Sequence, residues 1–275
     1  MKTPFVRMAL AFTLLSTVLY LSSCNRRDKD KDTDTQLASD FSFSENTYND
    51  VLNIADNASE TASGDHLSSY KTSSNCATVT HDTISIPHTI TIDFGSTNCL
   101  CNDGRNRRGK ILVSYTGHYR DSGSVHTITF DNYFVNDNHI MGSKSVSNMG
   151  HNAAGQTYFQ VNVNGLVVKA LTGDSISWTS TRTRTWTQGE STIGDKTDDV
   201  YEITGSASGT KGSTSYTMTI VQPLVKALSC GYISKGIMEI QPSGKLLRSI
   251  DFGNGTCDNT AQVTIGGNVY TITLH

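Results

Sequence analysis

The sequence predicts an all-β protein: an antiparallel β-sandwich or curved meander of about 12 strands, with one short N-terminal helix. From residue 65 onward, apolar and polar residues alternate with a period of two, as in strands with one buried face. Turn signals interrupt this alternation every 8 to 15 residues. Short polar residues are abundant and charged residues make up only 17% of the chain, which is common in secreted β-proteins. We therefore expect residues 65–275 to form a single all-β domain.

The chain begins with the features of a signal peptide over residues 1–23. Lys2 and Arg7 precede a nearly unbroken apolar run from residue 8 to residue 21, which is too short to cross a bilayer as a helix. The run ends in Leu21-Ser22-Ser23-Cys24, which resembles the lipobox of bacterial lipoproteins. The resemblance implies that Cys24 becomes the first mature residue and carries a diacylglycerol and an amide-linked acyl chain such as palmitate. The alternative is an ordinary secretory leader in which Cys24 is incidental.

A charged segment follows, and residues 24–40 are predicted to be the lipidated cysteine and a disordered tether. Residues 25–34 contain four basic and four acidic residues and no apolar one. Asn25 follows the cysteine in place of the Asp that typically signals retention in the inner membrane. We therefore expect anchoring to the outer membrane through the N-terminal lipid, on its periplasmic or extracellular face.

Residues 41–64 are predicted to be the helical segment. Ser42 and Glu45 have the spacing of a capping box, and Gly64 marks a stop. The apolar residues recur at helical spacing and give one stripe, which we expect to pack on the β-domain. The stripe consists of Tyr48, Val51, Leu52, Ala55 and Ala58.

The predicted strands follow one another from residue 90 to residue 272. Three-residue turn signals begin at Asn102, Asp121 and Asn136, and Gly266-Gly267 is predicted to close a terminal hairpin. Asn164-Gly165 is the strongest hairpin signal in the chain. Pro223 is expected to end a strand, because proline donates no hydrogen bond to a sheet.

One segment of the sequence occurs twice. Residues 92–95 and 250–253 both read Ile-Asp-Phe-Gly, and each is followed three residues later by a cysteine. A second cysteine precedes each copy, so the repeat suggests the disulfides Cys76–Cys99 and Cys230–Cys257. The pairing Cys76–Cys101 is the rival that the sequence leaves open. We expect the repeated Asp to bond a bend that the following Gly allows.

The chain after the leader is similar to a group of uncharacterised β-rich outer-membrane lipoproteins. The shared features are the lipobox, the Asp-Phe-Gly segment with its cysteine, the Asp103-Gly104-Arg105 turn and the β-rich body. The resemblance implies a lipoprotein of the cell envelope or cell surface, and it transfers no catalytic residue.

Charge excludes one class of partner. Removing residues 1–23 takes away two basic residues and no acidic one, so the net charge changes from −3 to −5. A negative chain is a poor ligand for nucleic acid, and we expect no nucleic-acid partner.

We expect a non-enzymatic protein that binds a glycan or an envelope protein partner, with no cofactor and no metal. Arg182, Arg184 and Trp186 alternate on one strand, and an exposed tryptophan beside two arginines is suited to stacking on a sugar ring. The alternatives are an exposed cation–π ladder, or Trp186 in the core. The other function considered is a surface polysaccharide hydrolase that uses Glu190 or Glu202 as a catalytic carboxylate.

Overall fold

The computed structural model describes residues 32–62, 76–192 and 194–274. The chain divides into two compact units, Met1–Thr33 and Asp34–His275, and the second unit contains every element named below. The predicted signal peptide, Cys24 and most of the charged tether lie outside the described residues. Within the described part of the chain, no helix is both long and apolar enough to cross a membrane.

The described residues of the second unit form one helix and fourteen strands. Helix α1 spans Gln36–Ala62. The strands are β1 Thr78–Asp82, β2 His88–Asp93, β3 Cys99–Leu100, β4 Asn106–Tyr115, β5 Val125–Val135, β6 Asn138–His151, β7 Thr157–Val168, β8 Ser175–Gln188, β9 Val200–Lys211, β10 Thr214–Ala227, β11 Lys235–Pro242, β12 Arg248–Asn254, β13 Thr260–Ile265 and β14 Asn268–Thr273. All strand pairs are antiparallel and belong to one open sheet in chain order, except that β3 pairs only with β4. The all-β prediction is confirmed, with slightly more strands than expected and with a meander instead of a sandwich.

Helix α1 begins earlier than the sequence predicts. The carboxylate of Asp34 accepts a hydrogen bond from the backbone N–H of Gln36 at 2.9 Å, which places an N-capping group before the first turn. Ser42 and Glu45 therefore lie inside the helix, and the expected capping box is wrong. The predicted apolar stripe is buried, with exposed fractions of 5% or less.

The sheet curves around α1. The ring of Phe41 packs on Tyr216 of β10 with centroids 4.1 Å apart, while Asp50 pairs with Arg107 of β4 at 2.5 Å. These two helix residues are separated by about 14 Å along the helix axis. The strands they contact are six strand spacings apart, which would be about 29 Å across a flat sheet. The inner face must therefore bend toward the helix, and it buries one continuous core from β2 to β14.

The expected hairpin at Asn164-Gly165 is wrong, because β7 continues through both residues. Asn164 pairs with Ser143 of β6 and with Thr179 of β8. Gly165 serves packing here, since a Cβ atom at this position would lie 2.7 Å from the hydroxyl of Tyr48. In a sequence, a glycine that makes room for an aromatic ring cannot be distinguished from a glycine that allows a turn.

Pro223 does not end its strand. Strand β10 continues to Ala227, and the register with β11 shifts between Ile220 and Gln222 and again before Val225. Proline is tolerated within a sheet at such irregularities, because the missing N–H falls where the hydrogen-bond ladder is already interrupted.

The two Ile-Asp-Phe-Gly segments form matching corners. The carboxylate of Asp93 accepts a hydrogen bond from the N–H of Gly95, and Asp251 does the same for Gly253, both at 2.8 Å. Gly95 and Gly253 have φ angles of 80° and 99°, which side-chain-bearing residues rarely adopt. The expected bend is therefore present in both copies.

A disulfide lies beside each corner. Cys76 is bonded to Cys99 and Cys230 to Cys257, with Cα–Cα distances of 5.9 Å and 5.7 Å. Cys101 is the free cysteine of the described residues. It is buried, and burial raises the pKa of its thiol. The pairing suggested by the repeat is thus the one present, and the rival pairing through Cys101 is not.

Candidate functional site

The outer face of the sheet carries two continuous rows of short, uncharged polar side chains across β5 to β10. We call them the first and second ladders. The first ladder is Thr127, Ser145, Asn162, Thr181, Ser206 and Thr219, each paired with the next. The second ladder is Thr129, Ser143, Asn164, Thr179, Ser208 and Thr217, paired in the same way. Adjacent members of a ladder are separated by about 4.8 Å, the spacing of neighbouring strands.

The ladders line a groove of about 570 Å³ on this face. Its polar lining consists of the buried Ser180 and the ladder members on β6 to β10: Ser143, Ser145, Asn162, Asn164, Thr179, Thr181, Ser206, Ser208, Thr217 and Thr219. None of these side chains is ionisable, and all carry a hydroxyl or an amide. The volume lies within the usual range of small-ligand sites, although the lining is much more polar than is usual for such sites. We refer to this surface as the hydroxyl–amide groove.

Two glycines adjoin the ladder residues of the groove. Gly142 and Gly205 adjoin Ser143 and Ser206, and their φ angles are 103° and 124°. A Cβ atom on either glycine would collide with a backbone carbonyl of the neighbouring strand. Both positions therefore require glycine, for conformation and for space.

The hydroxyls and amides of the groove lie on a fixed frame. Thr181 donates a hydrogen bond from its Oγ1 to the side-chain oxygen of Asn162 at 3.2 Å, within the first ladder. The strands beneath them are fully paired on both sides in this region. Short side chains on a paired sheet lose little conformational entropy when they bind a ligand.

Arg182, Arg184 and Trp186 lie on the opposite, inner face of β8. Their exposed fractions are 3%, 5% and 3%, so they do not form an exposed stacking platform. The sequence left open that Trp186 lies in the core. In the structure all three residues lie there. The buried position of these residues does not support the prediction that they contact a surface glycan.

Each of these three buried side chains has a specific partner. Arg184 donates to the hydroxyl of Tyr119 at 2.9 Å and stacks over the ring of Tyr201. The indole N–H of Trp186 donates to the carboxylate of Asp199 at 3.1 Å. Burial raises the pKa of Asp199 to about 7, although the charges of Arg120 and Lys196 oppose this shift. The inner face of the sheet thus contains buried ionisable groups at β8 and beside it.

The two candidate catalytic carboxylates lie apart from the groove. Glu190 follows β8 and accepts a hydrogen bond from Thr157, while Glu202 is exposed on the outer face of β9. Neither residue lines the hydroxyl–amide groove. The geometry therefore gives the hydrolase alternative no carboxylate pair at a cleft.

The basic run at residues 105–108 lies partly inside the protein. Arg107 is fully buried and donates to the carboxylates of Asp50 and Asp103 at 2.5–2.8 Å. It therefore joins α1 to the sheet. The sequence contains one indication that one of these arginines is buried: Arg107 and Arg108 are adjacent on a strand and must therefore face opposite sides of the sheet.

The hydroxyl–amide groove was also missed from the sequence. Polar alternation along one strand, as at Thr179 and Thr181 of β8, does not show which strands lie beside it. Among the described residues, no group of three His, Cys, Asp or Glu side chains is placed to hold a metal ion.

No protein-family model matches the chain, and comparison with curated proteins and with solved structures gives no significant match.

Proposed function

We propose that this chain is a lipid-anchored protein of the outer membrane, tethered through Cys24, whose β-domain binds a neutral glycan along the hydroxyl–amide groove. The observation that carries the proposal is the pair of charge-free ladders lining a groove of about 570 Å³. The anchor is supported by the lipobox sequence alone, and the glycan by the chemistry of the groove.

The lining matches a carbohydrate better than a protein. A sugar presents many hydroxyls, each of which can donate and accept, and Ser, Thr and Asn side chains can do both in return. Protein interfaces instead centre on aromatic residues, methionine and arginine; the ladders contain none of these, and the one methionine of the lining, Met218, is buried. An uncharged lining also gives no advantage to sulfated or uronic polysaccharides, so a neutral glycan is the favoured ligand.

The glycan proposal is tested by removing hydroxyls without changing shape. In the double variant Thr179→Val with Thr181→Val, one hydroxyl is lost from each ladder at the centre of the groove. Each lost hydrogen bond contributes about 0.5–1.5 kcal/mol. We expect affinity for a bound neutral polysaccharide, found by screening dextran, laminarin and galactomannan, to fall by about tenfold in isothermal titration.

The matched control is Thr264→Val on β13, which removes a hydroxyl from the outer face far along the sheet. It should bind as the parent protein does. Binding that the double variant leaves unchanged would exclude the groove. A protein captured through the groove in place of any glycan would favour the envelope-partner alternative.

The anchor is tested separately. Cys24→Ser should release the protein from the membrane fraction and abolish incorporation of labelled palmitate, because the acylated thiol is removed. Incorporation that survives the substitution would refute the lipid assignment without bearing on the groove.

A further inference from the structure

A small cavity lies between α1 and the inner face of the sheet. Its lining includes Lys144, Arg182, Arg184 and Glu45. The space is about 10 Å³, which is room for the centre of one water-sized particle. These side chains supply three cationic groups and one carboxylate, and all are at least nine-tenths buried.

The cations are poorly compensated. Lys144 donates from Nζ to the backbone carbonyl of Tyr48 at 2.9 Å, and Arg184 pairs with a tyrosine hydroxyl. Of the three, Arg182 alone has an ion pair within 4 Å, with the carboxylate of Glu45 at 3.4 Å, while the carboxylates of Asp56 and Asp199 act on Arg184 from farther away. Excess positive charge in a buried site is strongly unfavourable unless an anion lies close to it or one of the groups loses its proton.

The lining also presents donors that have no acceptor. Nε and Nη1 of Arg182 are buried without a hydrogen-bond partner, and so is the indole Nε1 of Trp178. Both residues line the cavity. Water would accept from these groups but would leave the charge uncompensated, whereas an anion does both.

We infer that this cavity is a binding site for one small inorganic anion of chloride size, held by Lys144, Arg182 and the indole of Trp178. Its size excludes a bulky organic acid unless α1 moves away. The site is on the opposite face of the sheet from the hydroxyl–amide groove, so the inference does not depend on the proposed glycan.

The electrostatics of Lys144 agree with this assignment. Burial lowers the pKa of Lys144 to about 7, Glu45 acts in the opposite direction, and the two arginines lower it further. A bound anion would restore the charged form and tie α1 to β6 and β8.

The test compares the thermal midpoint of the full chain in sodium chloride and in sodium gluconate at equal ionic strength. Gluconate is too large for the cavity. With chloride at ten times its dissociation constant, linkage predicts a midpoint about 3–6 °C higher than in gluconate. Lys144→Met and Arg182→Met should each lose most of this difference, and Lys110→Met, on a side chain that is 41% exposed, should keep it.

A direct observation completes the test, and it does not depend on the folding of any variant. Crystals of the parent protein grown in bromide should show an anomalous peak between Lys144 and Arg182. Equal midpoints in chloride and gluconate, an equal chloride effect in Lys144→Met and Lys110→Met, or the lack of that peak would each overturn the inference.

Discussion

The ion pairs of Arg107 make a sharp prediction about how α1 is held. The side chain of Arg107 is fully buried, and its two carboxylate partners, Asp50 and Asp103, are 18% and 29% exposed. Its neighbour Arg108 faces the other side of β4, is 23% exposed and pairs with Asp137. The same substitution can therefore be compared at two adjacent arginines, one buried and one partly exposed.

The expected loss of folding stability depends on which charged group each substitution leaves without a partner. Arg107→Met leaves two carboxylates that water can reach and that Arg105 still faces at 3.4 Å and 4.0 Å, so we expect a loss below the usual 3–5 kcal/mol for a broken buried pair, about 2–3 kcal/mol. Asp50→Asn with Asp103→Asn leaves a buried guanidinium without an anion, and about 3–5 kcal/mol should be lost. Arg108→Met should cost at most about 1 kcal/mol.

Urea unfolding followed by tryptophan emission measures these differences, because Trp178 and Trp186 are both buried in the core. The expected order of destabilisation is the double aspartate variant, then Arg107→Met, then Arg108→Met. If Arg107→Met and Arg108→Met have the same midpoint, the buried ion pair does not hold α1, and the reasoning fails.

Acid should weaken the same contact. Burial by itself would raise the pKa of Asp103, but the hydrogen bond and charge of Arg107 outweigh it, so the pKa lies below its ordinary value of 3.8. A carboxyl with a lowered folded pKa contributes stability that is present above 3.8 and is lost as the pH falls through the folded value. The stability difference between the parent and Asp103→Asn should therefore shrink below pH 4 in urea titrations.

Three further predictions concern the corners, the core and the helix contact. Replacing Cys230 and Cys257 by serine should cost about 3.5 kcal/mol by the chain-entropy treatment, since the cysteines are 27 residues apart; an unchanged urea midpoint would contradict this. Asp199 has a folded pKa raised to about 7, so its protonated form favours folding, and the parent should lose stability relative to Asp199→Asn as the pH rises from 4 to 7. The opposite slope in paired urea titrations would refute this assignment. Gly165→Ala should destabilise by about 1–3 kcal/mol through a clash with Tyr48, while Gly231→Ala, with open space at its Cβ, should be nearly neutral in thermal unfolding.

Local patterns accounted for the elements that depend on neighbouring residues alone. The repeated Asp-Phe-Gly corners were predictable because an Asp side chain, a Gly with positive φ and a nearby cysteine suffice to form them. The apolar stripe of α1 was predictable for the same reason, since helical spacing places it on one face. Pro223 and Asn164-Gly165 were misjudged, because their conformations depend on a bulge and on the ring of Tyr48.

The candidate sites depend on neighbours that the sequence does not specify. Alternation assigned Arg182 and Trp186 to one face of a strand but could not tell an inner face from an outer one. A buried face containing this many charged groups is uncommon, and it is possible here because α1 supplies carboxylates such as Glu45 to the interior.

The sequence by itself determined the all-β class, the number of strands within two, the cysteine repeat that suggested the disulfides, and a candidate lipid anchor. Each of these follows from periodicity, spacing or a short motif. Only the tertiary structure decided that the strands form one sheet curved around a helix, that the arginines face inward, and that ladder residues from five strands meet in one groove. The physical reason is that strand register and sheet curvature are set by packing between segments far apart in the chain. Hydrophobic alternation within one segment does not specify either of them.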